Sequence, residues 1–462
     1  AANLIGLEPT IIRAVFTGLR EALSSGRRFE WGPVLNLAIW ACNQPRDACP
    51  KSSDRFDRDP HWGWARGEIA RLLESGFASA ENPVPQDRKD DAWTVLARLL
   101  ADPDPTPDEE ERRRTAGHLE PINSSLNTTR GQAMHAAISY GTWLAGCESA
   151  SPFSMNAVPE LRGALLRHLD PRAEPSMAVR SVYGQRMLEL CAMDEEWVRA
   201  NLERLFDGSE ENAYLWEAAW EGFIVSSPLP RNLFECLLPQ YRRALAHIGQ
   251  WGVAGPRWTE PDERFARHIM AACEFGLLDL SPGSLLAEFF TLGPPELRRS
   301  ALALAGYRMH RSDGAGQIEA GGIERFQRLW EWRVEECPTE QARELRGFGP
   351  WFAADCLDAA WALEQLSVVL EIATSIDDDH EVVARLAGLA PSFPMAVLTC
   401  LRLMLEGESG GWQIYGWKVQ IRLILEAATA DPETRLQSID LIGWLGQRGH
   451  DEFRDLLGGL LC

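Results

Sequence analysis

From residue 158 to the end, apolar residues recur at helical intervals in stretches of roughly 10–18 residues, and Pro or Gly divides one stretch from the next. No other feature constrains the fold as much. Apolar residues three and four apart share one face of a helix, whereas a strand needs sustained alternation. β-Branched runs such as Phe223-Ile224-Val225 are short and continue helical patterns. Helices are predicted over 158–169, 176–193, 195–206, 212–225, 231–248, 261–275, 283–292, 295–309, 323–336, 359–374, 380–389, 391–406, 417–429, 432–448 and 451–461. Pro261, Pro295, Pro391 and Pro432 fall at or near first helical positions, where a missing N–H removes no hydrogen bond. Upstream, 5–23, 31–42, 64–75 and 90–101 read the same way, with a polar loop over 43–64. Helix pairs recur about every 30–45 residues without a strict consensus, which disfavours tetratricopeptide and ankyrin arrays. The predicted fold is all-α, an α-solenoid of degenerate HEAT-like helix pairs.

The segment Asp102–Glu111, DPDPTPDEEE, alternates Pro and so blocks helix and central strand alike. Its late acidic residues suit the start of a short helix. Three parts are predicted: an N-terminal helical part (1–101), an acidic Pro-rich linker with a short helix (102–120), and the HEAT-like array (121–462). A loop within one array is the alternative reading of the linker. Next comes PINSSLNTTRGQAMHAAISYGTWLAG, from Pro121 to Gly146. Asn127, Thr128 or Thr129 can cap the helix that follows, and its alanines allow close packing. Arg130 falls in the first turn, where the dipole disfavours a cation, so it calls for a carboxylate or carbonyl partner. It is the candidate junction residue between the divergent N-terminal part and the array.

Composition sets limits on partners. The net charge is −21, spread along the chain, and the basic run Arg112–Arg114 directly follows Glu109–Glu111. Nucleic-acid binding, which draws on basic surface, is disfavoured. Ten cysteines lie singly, with no CxxC. They read as reduced residues of a cytoplasmic protein, although Cys42 and Cys49 flank a loop and could pair in an oxidising compartment. No apolar run reaches the roughly 18 residues of a membrane span. No signal peptide is recognised. The chain opens on Ala1 without an initiator Met, which reads as a start inside a larger protein or after processing.

Candidate chemistry is sparse. The glycine-rich stretch 314–322 lacks the GK[ST] ending of a phosphate loop. Asp377–Glu381 does not match a calcium loop and reads as an acidic helix start. His118-Leu119-Glu120 lacks the downstream PCxxC of a zinc deaminase, and neither HExxH nor GxSxG occurs. His135 reads as a packed or surface histidine. Asn123-Ser124-Ser125 and Asn127-Thr128-Thr129 are sequons by pattern, better read as turn and cap residues. No catalytic residue, cofactor or metal ligand is assigned. Two aromatic, glycine-rich loops, 347–352 and 410–417, carry Trp351, Trp412, Tyr415 and Trp417. Such rings either anchor a partner or plug the wedge between helices.

The runs FGPWFAADCLDAAWALEQLSVVL, AVLTCLRLMLEG, GWQIYGWKVQIRLILEAA, LIGWLGQRGHDEFRDLL and INSSLNTTRGQAMHAAISYGTWL resemble the C-terminal helical region of large bacterial anti-phage defence proteins. In those proteins it follows a STAND-type NTPase or sirtuin-like effector module. The resemblance covers about residues 122–461 and implies a sensor or scaffold. It carries over no catalytic residue. The expected function is non-catalytic protein recognition, the partner being a phage protein or the chain's own or cognate effector domain. A homo-oligomer is a further option. An enzyme with a dispersed helical site and a nucleic-acid-binding array are the alternatives.

Overall fold

The computed structural model describes residues 8–46, 62–117, 119–147, 153–249, 260–310, 318–407 and 410–457. Most of the 43–64 loop, Cys49, His118 and the first half of the 314–322 stretch lie outside the described residues. Every regular element among the described residues is helical, with no strand, so the protein is all-α.

Two compact units divide the chain: Ala1–Gln240 with Gly252–Pro261, and Tyr241–Trp251 with Asp262–Cys462. The first holds α1 (Pro9–Ser24), α2 (Trp31–Cys42), α3 (Gly63–Ala78), α4 (Lys89–Leu100), α5 (Pro107–Thr115), α6 (Pro121–Asn127), α7 (Thr129–Cys147), α8 (Pro159–Leu169), α9 (Met177–Gln185), α10 (Met187–Leu205) and α11 (Ala213–Ser226). Next come α12 (Phe234–Leu245) and α13 (Pro261–Glu274). The second unit continues with α14 (Leu285–Leu292), α15 (Pro295–His310), α16 (Gly322–Glu336), α17 (Gly349–Ala353), α18 (Ala359–Ala373), α19 (Asp379–Leu389), α20 (Pro394–Glu406), α21 (Gly410–Ala430) and α22 (Arg435–Gln447).

Several predicted elements shift. Residues 410–417 form the first turns of α21 rather than a loop. Residues 347–352 run from a 3-10 segment (Thr339–Phe348) into α17. The described part of the predicted helix at 451–461 is a 3-10 turn over Asp451–Leu457, and the rest lies outside the described residues. Pro394 rather than Pro391 starts α20, and α22 starts three residues after Pro432. The reading of one helix over 176–193 misses a break at Arg186, although the division between 193 and 195 corresponds to non-helical Asp194 (φ −155°, ψ 90°). Asp194 Oδ1 accepts the Trp197 N–H at 2.8 Å and caps the second half of α10.

In the first unit the acidic Pro-rich segment ties distant helices together. Asp102 is buried and takes Arg66 at 2.6 Å and Arg46 at 3.0 Å. Asp104 Oδ2 accepts the Thr129 N–H at 2.8 Å, so the cap of α7 comes from 25 residues upstream rather than from Asn127, Thr128 or Thr129. Glu110 does the same for α9, accepting the Ser176 hydroxyl at 2.9 Å and the Met177 and Ala178 N–H groups at 2.9 and 3.0 Å. Carboxylates at helix N-termini meet both the unpaired N–H groups and the positive dipole end.

Arginines close the opposite ends. Buried Arg180 donates to the carbonyls of Leu169 and Arg204, the C-termini of α8 and α10. Arg66 reaches Cys42 and Gln44, Arg298 reaches Phe290, and Arg435 reaches Thr429. A planar fork of donors suits several carbonyls at once, which an ammonium does not match. All but three of the 46 Lys and Arg residues are arginine.

Elsewhere in the first unit α9 crosses α11 with backbones touching. A Cβ on Gly184 would stand 2.0 Å from the Ala219 carbonyl oxygen, and one on Gly222 2.3 Å from that of Ser181. In the second unit, α17 packs on α19, α18 on α20, α19 on α21 and α20 on both α21 and α22. A buried ionic cluster there centres on Glu344, fully buried, with Arg298 at 2.8 Å and Arg333 at 2.5 Å.

Candidate functional site

Among the candidate residues, Tyr415 leads to a surface. The inner face of α21 is made by Ile414, Trp417, Ile421, Ile424, Leu425 and Ala428, all buried. Residues spaced by four fall on the opposite face, and here they are also apolar: Tyr415 is 63% exposed, Val419 68% and Leu423 49%. A helix apolar on both faces leaves one of them in water unless something covers it. Charged pairs border the stripe. Lys418 bonds Glu452 at 2.7 Å and lies 4.8 Å from the Tyr415 ring centre, while Arg422 bonds Asp455 at 2.9 Å. The lysine hydrogen bond holds the Glu452 carboxyl below its ordinary range, and the Arg422 bond does the same for Asp455. His450 packs edge-on against Tyr415 at 5.5 Å. An apolar centre within a polar rim is the anatomy of a protein interface.

The other candidates lie elsewhere. Trp351 is fully buried, donates its indole N–H to the Leu302 carbonyl at 2.6 Å, and packs against Trp330 and Phe348. Trp417 is 1% exposed. Neither ring presents surface to a partner in this conformation; both fill space between helices. Trp412 is within α21, but its side chain lies outside the described residues. Arg130 is buried and has both kinds of partner its position demands. It meets Glu174 at 2.7 Å and donates to the Asp102 and Pro105 carbonyls at 2.7 and 2.9 Å. Burial pushes the Glu174 carboxyl up, but the hydrogen bond from His168 and the charge of Arg130 outweigh it, and the net shift is down.

Two clusters bring together groups of reactive type. Ser125 Oγ donates to the Ile122 carbonyl at 2.7 Å, accepts from Gln185 at 3.0 Å, and stands 3.2 Å from His135 Nε2. With its hydrogen committed to a carbonyl, the serine accepts from the imidazole, so this histidine acts as donor rather than base. Burial, reinforced by the charge of Arg186, pushes His135 down to about 3. Ser125 has no exposed surface, which closes it to a substrate in this conformation. Asp377, from the acidic helix start, faces Arg299 at 3.2 Å and Arg346 at 3.6 Å. Burial raises its carboxyl despite both guanidiniums.

The sequence reading passed over Val419 and Leu423. The signal was present: Tyr415, Val419 and Leu423 repeat every four residues beside a complete inner face at 414, 417, 421, 424 and 428. The capping roles of Asp104 and Glu110 had no comparable local signal.

No family model, curated protein or solved structure matches the chain.

Proposed function

We propose that the chain is a non-catalytic protein-recognition scaffold of HEAT-like helix pairs. The resemblance noted above supports placing it as the sensor or regulatory region of a cytoplasmic bacterial anti-phage defence protein. The observation that carries recognition is the α21 stripe of Tyr415, Val419 and Leu423, exposed and rimmed by Lys418 and Arg422. The array reading is supported by the packing order of α17 to α22, in which each helix meets its next neighbours along the chain, as in stacked helix pairs. The partner that suits the stripe is a protein with an apolar ridge flanked by polar groups, either a phage structural protein or the effector module this region controls.

Purified phage capsid and tail proteins and the cognate effector module, each titrated against the immobilised chain by biolayer interferometry, test the proposal. Saturable binding by one of them is expected. Absence of binding across both sets, with a chain that melts cooperatively, would overturn it.

A further inference from the structure

A cavity of about 310 Å³ lies in the first unit, where α1 and α3 face the start of α7. That is at the small end of the roughly 300–1,000 Å³ of small-molecule sites. Trp64 offers its ring to this cavity and is 52% exposed, with the Arg13 guanidinium 5.0 Å over the ring. Glu68, in the same wall and 4% exposed, is shared by Arg71 at 2.6 Å and Arg20 at 3.3 Å. Asp104 is held by the Thr129 N–H and by Arg46 at 3.5 Å. The wall itself carries two guanidiniums, Arg13 and Arg71, and two carboxylates, Glu68 and Asp104, and both carboxylates are met from outside the wall by a further arginine, Arg20 and Arg46. Gln132, 6% exposed, donates Nε2 to the Leu126 carbonyl at 2.6 Å, while its Oε1, against Gly67, has no hydrogen-bond donor.

We propose that this cavity binds a small, flat anion of the mononucleotide class. Its ring stacks on Trp64, and its anionic group faces Arg71 and Arg13. Each half of the ligand is set by a different part of the wall. An exposed indole favours a π-face without demanding a particular ring. Guanidinium pairs favour a planar or tetrahedral oxyanion. A cation meets the wrong charge, and an anion without a ring leaves the indole in water. The site does not rest on the recognition reading, which concerns α21 of the other unit.

Isothermal titration of the full chain with AMP, adenosine and inorganic phosphate tests it. AMP is expected to bind in the sub-millimolar range, more weakly as salt is added. Trp64→Ala should lose about tenfold in affinity through the missing stack, and Arg13→Gln should lower it and flatten the salt dependence. Far-UV circular dichroism checks that both variants remain folded. No heat from AMP at millimolar concentration would overturn the proposal, as would Trp64→Ala binding AMP like the unsubstituted chain. Adenosine binding as tightly as AMP would remove the anionic half of the argument, and phosphate binding as tightly would remove the aromatic half.

Discussion

Replacing Gly184 by alanine places a methyl group where α9 already touches α11. The new Cβ would stand 2.0 Å from the Ala219 carbonyl oxygen and 2.6 Å from the Phe223 nitrogen, whereas ordinary contact begins near 3.4 Å. Both obstacles are backbone atoms of a helix, so no rotamer change relieves them, and the helices must part by more than an ångström. Overpacking of this kind costs about 1–3 kcal/mol and sometimes more. The gap opened beside Met177, Leu215 and Ala218, which pack together between the two helices, adds lost contacts along the crossing. Against this, alanine is better than glycine in a helix interior by about 0.8–1.0 kcal/mol. The expected net effect is a destabilisation of about 2 kcal/mol. The controls carry the opposite sign. Gly18 and Gly163 sit in α1 and α8 of the same unit, and a Cβ at either meets nothing within 4 Å. Gly18→Ala and Gly163→Ala should therefore stabilise by about 0.5–1 kcal/mol. Urea unfolding followed by circular dichroism reads all three. A Gly184→Ala chain as stable as the Gly163→Ala chain would refute the backbone crossing.

Three further perturbations follow from buried charge. Arg130→Ala strands Glu174, 3% exposed, and should cost about 3–5 kcal/mol in urea unfolding at pH 7, with Glu174→Ala in the same chain recovering part of the loss. Because the Glu174 carboxyl is lowered in the fold, its contribution is present above pH 4.5 and is lost as the pH falls below that. His135 is held down to about 3, so the unfolded chain protonates first as the pH drops from 6.5. This residue should remove stability at up to about 1.4 kcal/mol per pH unit across that window, and His135→Gln should show a shallower fall between pH 6.5 and 4.5 than the parent chain. Glu344→Gln leaves Arg298 and Arg333 buried without a counter-charge, and a loss of about 3–5 kcal/mol in the unfolding of the second unit is expected.

The helices were legible because burial writes itself as periodicity. The range 31–42 coincides with α2, and 359–374 matches α18 to one residue. What periodicity does not carry is where a helix end finds its partners. The capping of α7 by Asp104 and of α9 by Glu110 spans 25 and 66 or more residues, so for α7 local cap rules point to Asn127, Thr128 or Thr129 instead. The aromatic loops leave two readings open for a related reason. Glycine beside tryptophan reads as a flexible display, yet Gly349 is needed because a Cβ there would stand 1.7 Å from the Asp377 carbonyl oxygen, and Trp351 two residues on is buried. Close approach, not mobility, explains that glycine. Arg130 was read through its dipole penalty, which is a local quantity, and its need for a carboxylate or carbonyl was visible for that reason. Which carboxylate answered, Glu174, depended on tertiary structure.

Recognition through α21 is tested most directly by placing charge in the stripe and measuring partner affinity. The double substitution Val419→Glu with Leu423→Glu changes two residues that are 68% and 49% exposed, so the fold should tolerate it. Val15→Glu, on an exposed face of α1, controls for added negative charge. Biolayer interferometry against the protein partner should show the double variant weakened by about thirtyfold or more, the scale of a central interface anchor, with Val15→Glu unchanged. Equal affinity for the double variant and the parent chain would contradict recognition through this helix.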